Sequence, residues 1–220
     1  MIRGLVFDLD GTIISIGRDG AAFRSTTAAH LRRNGFDMSQ IRTEKGVQDM
    51  LDQALVQLRQ GRVNVDYAQL KRQIFNELDE LESLWVREAR LLPGVAEALS
   101  DLKPVVPRFG LLTNSGGAAT AYAVGKFGLD EYFDYIFTRD TVPSMKPSPD
   151  GLILILDTMG VERSEALFVG DSVYDIRAAR AAGVKVASVL SGPYDAEMVK
   201  REQPDYVLGS LTELRPRLAF

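Results

Sequence analysis

The stretch GLVFDLDGTI, from Gly4 to Ile13, ends a short apolar run in two aspartates set one residue apart, followed at once by glycine and threonine. Leu5, Val6 and Phe7 suit a strand buried on both faces, and Asp8 to Thr12 marks the point where that strand emerges. Open parallel sheets bind their ligands at the carboxyl ends of the strands. The pair of carboxylates therefore stands where chemistry is expected.

The second half of the chain supplies the rest of such a sheet. After LLPG (Leu91–Gly94), short β-branched or aromatic runs (FGLLTN, YIFT, ALFVGD, VKVASVL and DYVLG) alternate with helical segments ending at Gly128, Gly160 and Gly183. Glycine belongs just past a helix C-terminus, and βαβα alternation with apolar strands predicts a parallel sheet covered on both faces.

Between the first strand and this block the texture is helical. AAFRSTTAAHLRRNG ends at Gly35 and VQDMLDQALVQLRQG at Gly61; in a third segment Asp66 stands at the cap position. There Leu70, Ile74, Leu78, Leu81 and Trp85 recur at spacings of four and three, which places one apolar stripe on one face. The expected organisation is α/β: a Rossmann-like parallel-sheet core of residues 1–15 and 90–220, with an all-helical cap of residues 16–89 inserted after the first strand.

Composition narrows the partners. The chain has 220 residues, a net charge of -4 and no cysteine. That excludes disulfides, thiolate nucleophiles and cysteine-ligated metals, and it leaves no basic field for nucleic acid. The longest aliphatic run, LILIL (Leu152–Leu156), is far below the roughly 20 residues of a membrane span. GLVF, interrupted by Asp8 and Asp10, is too short and too charged for a signal-peptide core. We expect a cytoplasmic protein acting on a small molecule, with neither membrane nor nucleic acid as partner.

Four polar clusters fall at strand ends: DLDGT, LTNS (Leu112–Ser115), MKPSPD (Met145–Asp150) and GDSVYD (Gly170–Asp175). Together they bring two pairs of carboxylates, a hydroxyl, an amide and a lysine, which is what metal-assisted phosphoryl transfer needs. A phosphate monoester repels an attacking anion, and a hard cation held by oxygens, most simply Mg²⁺, offsets that charge. Asp8 is placed to attack phosphorus, and Asp10 to protonate the leaving alkoxide and then deprotonate water. Gly11 permits a tight departure from the strand, and it lets backbone N–H groups of the turn with Thr12 approach phosphate. Thr113 and Asn114 can hold phosphoryl oxygens or the nucleophile. Lys146 supplies a positive charge, with Pro147 expected to keep it extended and Ser148 to cap the next helix. Asp171 and Asp175 complete the carboxylate cage.

With these motifs in order over nearly the whole length, the chain resembles the haloacid dehalogenase superfamily, and within it phosphatases of phosphoglycolate-phosphatase type. The resemblance implies a helical cap after the first motif, Asp8 as nucleophile and the Asp10 side chain as acid and base. It also implies Mg²⁺ held by Asp8, the Asp10 backbone carbonyl and Asp171, with Asp175 supporting the metal site or pairing with Lys146. The substrate is then a small phosphate monoester. The loop RTEKG is expected to offer Arg42 and Lys45 to the body of the ester, with Arg18 and Arg24 as weaker candidates. The likeness departs from the family after DGT, where IISIGRDG replaces the commoner pattern near LIDS. Sugar phosphomutases share Asp10 and are the nearest alternative; a non-catalytic phosphate-ligand-binding protein is another. His30, the one histidine, reads as a solvated or packed residue and not a catalytic one, while Trp85 and RAARAAG (Arg177–Gly183) read as packing.

Overall fold

The computed structural model describes residues 1–17 and 19–218. Among these residues the chain divides into two compact units, one of Met1–Ile16 with the residues from Glu88 onward, the other of Gly17–Arg87.

The first unit is built on a parallel sheet. In chain order its strands are β1 (Gly4–Phe7), β4 (Arg108–Leu112), β5 (Tyr135–Phe137), β6 (Ala166–Gly170), β7 (Lys185–Val189) and β8 (Tyr206–Leu208); β2 (Ile14–Ser15) and β3 (Arg90–Leu91) form a separate two-stranded ladder. The sheet order is β5-β4-β1-β6-β7-β8, and every neighbouring pair is parallel. β1 thus lies between strands that continue the sheet in opposite directions, with Val6 paired to Gly110 on one side and Phe168 on the other. Its carboxyl end is a topological switch point, the crevice where such sheets accept ligands. All four β1 residues are buried.

The two faces of β1 pack differently because alternate side chains point to opposite sides of a sheet. Val6 joins Leu152, Ile155, Phe168, Ile176 and Val186 in one core cluster. Phe7 faces Phe109 and Phe133, at ring separations of 5.4 and 5.7 Å. Each fully buried side chain of this kind contributes about 1.5–3 kcal/mol, so the strand ending in Asp8 is firmly anchored. β2 and β3 were too short to leave a pattern in the sequence. Their ladder, Ile14 with Leu91 and Ser15 with Arg90, ties the neck of the insertion to the first unit, so the division falls at Ile16 and Glu88 instead of residues 15 and 90.

The second unit contains α1 (Gly20–Arg33), α2 (Val47–Arg59) and α3 (Tyr67–Trp85). Asp19 and Asp66 cap α1 and α3 by accepting backbone N–H bonds from Ala21 and Ala22 and from Gln69. Leu70, Ile74 and Leu78 form the buried stripe of α3, while Trp85 is half-buried and stacks on Phe23 of α1 at 5.3 Å. The stripe is not purely apolar, because Glu82 is buried where Leu81 is half-exposed to view. His30 is buried with Nε2 2.8 Å from Glu77 Oε1, the packed one of the two roles expected of it.

The core helices are α4 (Val95–Leu102), α5 (Gly117–Phe127), α6 (Asp150–Met159), α7 (Val173–Ala182), α8 (Ala196–Arg201) and α9 (Leu214–Arg217). α5, α6 and α7 end at Gly128, Gly160 and Gly183, each in the left-handed conformation that glycine adopts without cost. In α7, Ala178, Ala179 and Ala182 are buried and Arg177 and Arg180 exposed, as close packing on a sheet requires. Among the described residues, no helix is long and apolar enough to cross a membrane.

Candidate active site

Asp8 follows the last residue of β1, and its backbone N–H still bonds to Val169 O at 2.8 Å, so the sheet itself sets its position. Asp171 follows β6, the strand beside it. Asp175 lies in the first turn of α7, where Ser172 is the N-cap: the Ser172 hydroxyl accepts from Asp175 N–H, and Asp175 Oδ2 accepts from Ser172 N–H at 2.9 Å and from its hydroxyl at 2.6 Å. Asp8, Asp171 and Asp175 each offer an oxygen within 4.8 Å of the others, and all three are buried. They are the one such convergence of metal-ligating side chains among the described residues.

Lys146 reaches this cluster from the loop before α6. Its Nζ donates to Asp8 Oδ1 at 2.5 Å and to Asp175 Oδ1 at 2.6 Å, and the residue is only 5% exposed. Burial alone would push the ammonium toward neutrality, but Asp175 and Asp8 outweigh it and raise its pKa. The carboxylates are under the opposite stress. Burial, with repulsion from Asp175, raises Asp8 to about 6 despite the opposing pull of Lys146. Burial, then Asp175 and Asp8, raise Asp171 to about 9. One ammonium does not balance three buried acids, and a donor set of oxygens alone suits a hard divalent cation.

Several expected roles change in detail. Both oxygens of Asp175 accept hydrogen bonds, Oδ1 from Lys146 and Oδ2 from Ser172, so it pairs with the lysine, one of the two roles expected of it, while remaining among the three converging carboxylates. The Asp10 carboxylate is outside the converging three, and its Oδ1 accepts from Ile16 N–H at 3.1 Å. Asn114 does not face an open site with its amide: Nδ2 donates to Lys146 O and Oδ1 accepts from Lys146 N–H, both at 2.9 Å. It clamps the lysine's backbone. Ser148 is not the cap of α6, since Pro149 takes that position and Ser148 Oγ accepts from Asp150 N–H at 3.3 Å. The Lys146–Pro147 bond is cis.

Thr113 is buried at the end of β4, with Oγ1 accepting from Ser115 N–H at 3.1 Å, which leaves its hydroxyl proton available to donate. The buried Thr12 hydroxyl has no hydrogen-bond partner. Gly11 has a φ of +87°, and a Cβ there would lie 2.4 Å from Asp171 Oδ2, so both the turn and the approach of the carboxylate demand glycine. Arg42 and Lys45 are exposed on the loop before α2, where Arg42 N–H donates to Gln53 Oε1 at 2.9 Å. Arg24 is half-buried in α1, and Arg18 lies outside the described residues.

Two contributors escaped the sequence reading. Arg139, buried after β5, donates from its guanidinium to Asn114 O at 3.3 Å and from its backbone N–H to Ser115 O at 3.1 Å, bracing the loop that carries Thr113 and Asn114. Ser191, beyond β7, donates from Oγ to Gly11 O at 2.7 Å. LSGPYD follows a strand at the same edge as the other polar clusters, so the strand-end rule that identified four of them reaches this fifth one too.

Comparison with known proteins agrees with this arrangement. A family model described as haloacid dehalogenase-like hydrolase matches residues 2–183. The chain is 29% identical over 217 residues to a phosphoglycolate phosphatase of Nitrosococcus oceani, covering 98% of this chain and 96% of that one. It is 30% identical over 217 residues to phosphoglycolate phosphatase 1 of Pseudomonas aeruginosa, covering 97% and 79%. Among solved structures, a hydrolase from Pseudomonas syringae superposes with a TM-score of 0.72 at 22% identity, covering 98% of this chain and 99% of that one. A subfamily IA hydrolase from Geobacter sulfurreducens gives 0.60 at 23%, covering 99% and 100%. With the family model spanning β1 through α7 and the strand-end clusters that carry Asp8, Thr113, Lys146 and Asp171, the chain belongs to the haloacid dehalogenase-like hydrolases.

Proposed function

We propose that this protein is a Mg²⁺-dependent phosphatase that hydrolyses a small phosphate monoester, of the kind its phosphoglycolate phosphatase relatives are named for. The observation that carries the reading is the buried Lys146 bridging Asp8 and Asp175 beside Asp171 at the switch point of the sheet.

In this reading Asp8 and Asp171 hold the cation with side-chain oxygens, joined by the Asp10 backbone carbonyl. When bound, Mg²⁺ would supply positive charge to offset that of the phosphoryl group. Asp8 forms a bond from its carboxylate oxygen to phosphorus while the ester P–O bond breaks, and Asp10 gives its proton to the departing alkoxide. Asp10, now a carboxylate, takes a proton from water as that water attacks the aspartyl-phosphate. The acyl phosphate's P–O bond breaks, Asp8 is restored and inorganic phosphate leaves. Lys146 keeps Asp8 ionised and offsets charge in both steps. Thr113 donates its hydroxyl proton to a phosphoryl oxygen, and the backbone at Gly11 and Thr12 approaches the same group. Asn114 serves by fixing Lys146. Arg42 and Lys45 contribute to selecting the ester.

The test is a panel of phosphoglycolate, sugar phosphates, nucleoside monophosphates and pyrophosphate, assayed with Mg²⁺ for released phosphate, on wild type and on Asp8→Asn. The variant keeps the shape and loses the attacking charge, so turnover is expected to fall at least about a thousandfold. Retention of a tenth of the wild-type rate by folded Asp8→Asn would exclude Asp8 as the nucleophile.

A further inference from the structure

The turn after β7 approaches the acidic cluster very closely at Gly192. An ideal Cβ at Gly192 would stand 1.8 Å from Asp171 Oδ2 and 2.5 Å from its Cγ. A Cβ at Gly11 would stand 2.4 Å from the same oxygen. The Asp171 carboxylate therefore occupies volume that a side chain at either position would fill, in close approach to two stretches of backbone. The two stretches are tied together, since Ser191 Oγ donates to Gly11 O at 2.7 Å. Tyr194, two residues beyond Gly192, packs against the main core cluster and fixes the far end of the turn.

The two glycines serve different needs. Gly11 has a left-handed backbone, which by itself favours glycine. Gly192 does not: its φ lies outside that region. Space is what position 192 requires. Bare backbone at Gly11 and at Gly192 lies against Asp171 Oδ2 and limits where that side chain can turn.

We infer that Gly192 is a positioning residue of the metal centre: its bare backbone, braced by Ser191, holds the Asp171 carboxylate in the orientation that presents it to the cation. This rests on the reading of Asp8 and Asp171 as Mg²⁺ ligands. Neighbours that orient a ligand, when changed, cost metal affinity about ten- to a hundredfold.

The experiment compares wild type, Gly192→Ala and Gly125→Ala, the last an exposed helical position where an added Cβ meets nothing within 4 Å. Mg²⁺ binding is read by titration calorimetry and by the rise in Tm on adding Mg²⁺. Gly192→Ala is expected to bind Mg²⁺ about ten- to a hundredfold more weakly while Gly125→Ala binds as wild type does. Unchanged affinity in Gly192→Ala would overturn the inference. A metal-free arm repeats Gly192→Ala in an Asp171→Ala background. The Tm loss is expected to be large with Asp171 present and much smaller without it, and equal losses in both would overturn the inference. If Gly192→Ala alone does not fold, recovery of folded protein in the double variant supports the inference, and failure to recover counts against it. If wild type takes up no Mg²⁺, the metal reading fails, and the metal-free arm alone decides whether Gly192 holds Asp171.

Discussion

Lys146→Met isolates the electrostatics of the site, because methionine keeps an unbranched chain and removes only the ammonium. In the wild type that ammonium lies 2.5 Å from Asp8 and 2.6 Å from Asp175, with all three residues buried. Removing one partner from a buried ion pair costs about 3–5 kcal/mol, since the surviving charges lose their compensation. The loss should also depend on pH, and the sign follows from proton counts. Asp8 is raised from 3.8 to about 6 with Lys146 present, and without it the carboxyl is raised further. Above about pH 6 the folded variant then keeps a proton that the folded wild type releases, whereas both unfolded chains have already lost it. Stability of the variant consequently falls more steeply with rising pH, by about 1.4 kcal/mol per pH unit for one proton. The assay is urea unfolding of both proteins in chelator-treated buffer at about pH 5 and about pH 8. Parallel losses at the two values, or a loss below about 1 kcal/mol as for a surface pair, would refute the view of Lys146 as the counter-charge of a buried acidic cluster.

Chelation is expected to abolish hydrolysis and added Mg²⁺ to restore it, with Ca²⁺ a poor substitute because it prefers more ligands and longer bonds; full activity in excess chelator would sink the metal-assisted mechanism. Asn114→Ala frees the Lys146 backbone without removing its charge, so kcat should fall for every ester while KM stays nearly constant, and a loss confined to KM would return Asn114 to substrate binding. Arg42→Ala and Lys45→Ala should lower kcat/KM roughly ten- to a hundredfold for the preferred ester and far less for p-nitrophenyl phosphate, because remote binding energy serves only a substrate that reaches those groups. Equal losses on both esters would assign that loop to a general role and not to selection.

The features legible in the sequence were those encoded locally. Apolar runs such as Leu5–Phe7, the glycines closing α5, α6 and α7, and the spacing of Leu70, Ile74 and Leu78 each report on a few adjacent residues, where side-chain period and turn chemistry act directly. The polar clusters were legible for the same reason, since a strand's end is marked by its own residues. Which of their atoms meet was a different matter. Lys146 and Asp8 are 138 positions apart, and Asn114 and Lys146 are 32 apart, and only the strand order brings these pairs within bonding distance. The same holds for competition among partners: no local pattern says that Ser172 and Lys146 together occupy both oxygens of Asp175, or that an amide able to bind phosphate is taken up by a neighbouring backbone. Gly192 is the limiting case. Its φ is not left-handed, and what crowds the place of a side chain there is the carboxylate of Asp171, which follows a neighbouring strand.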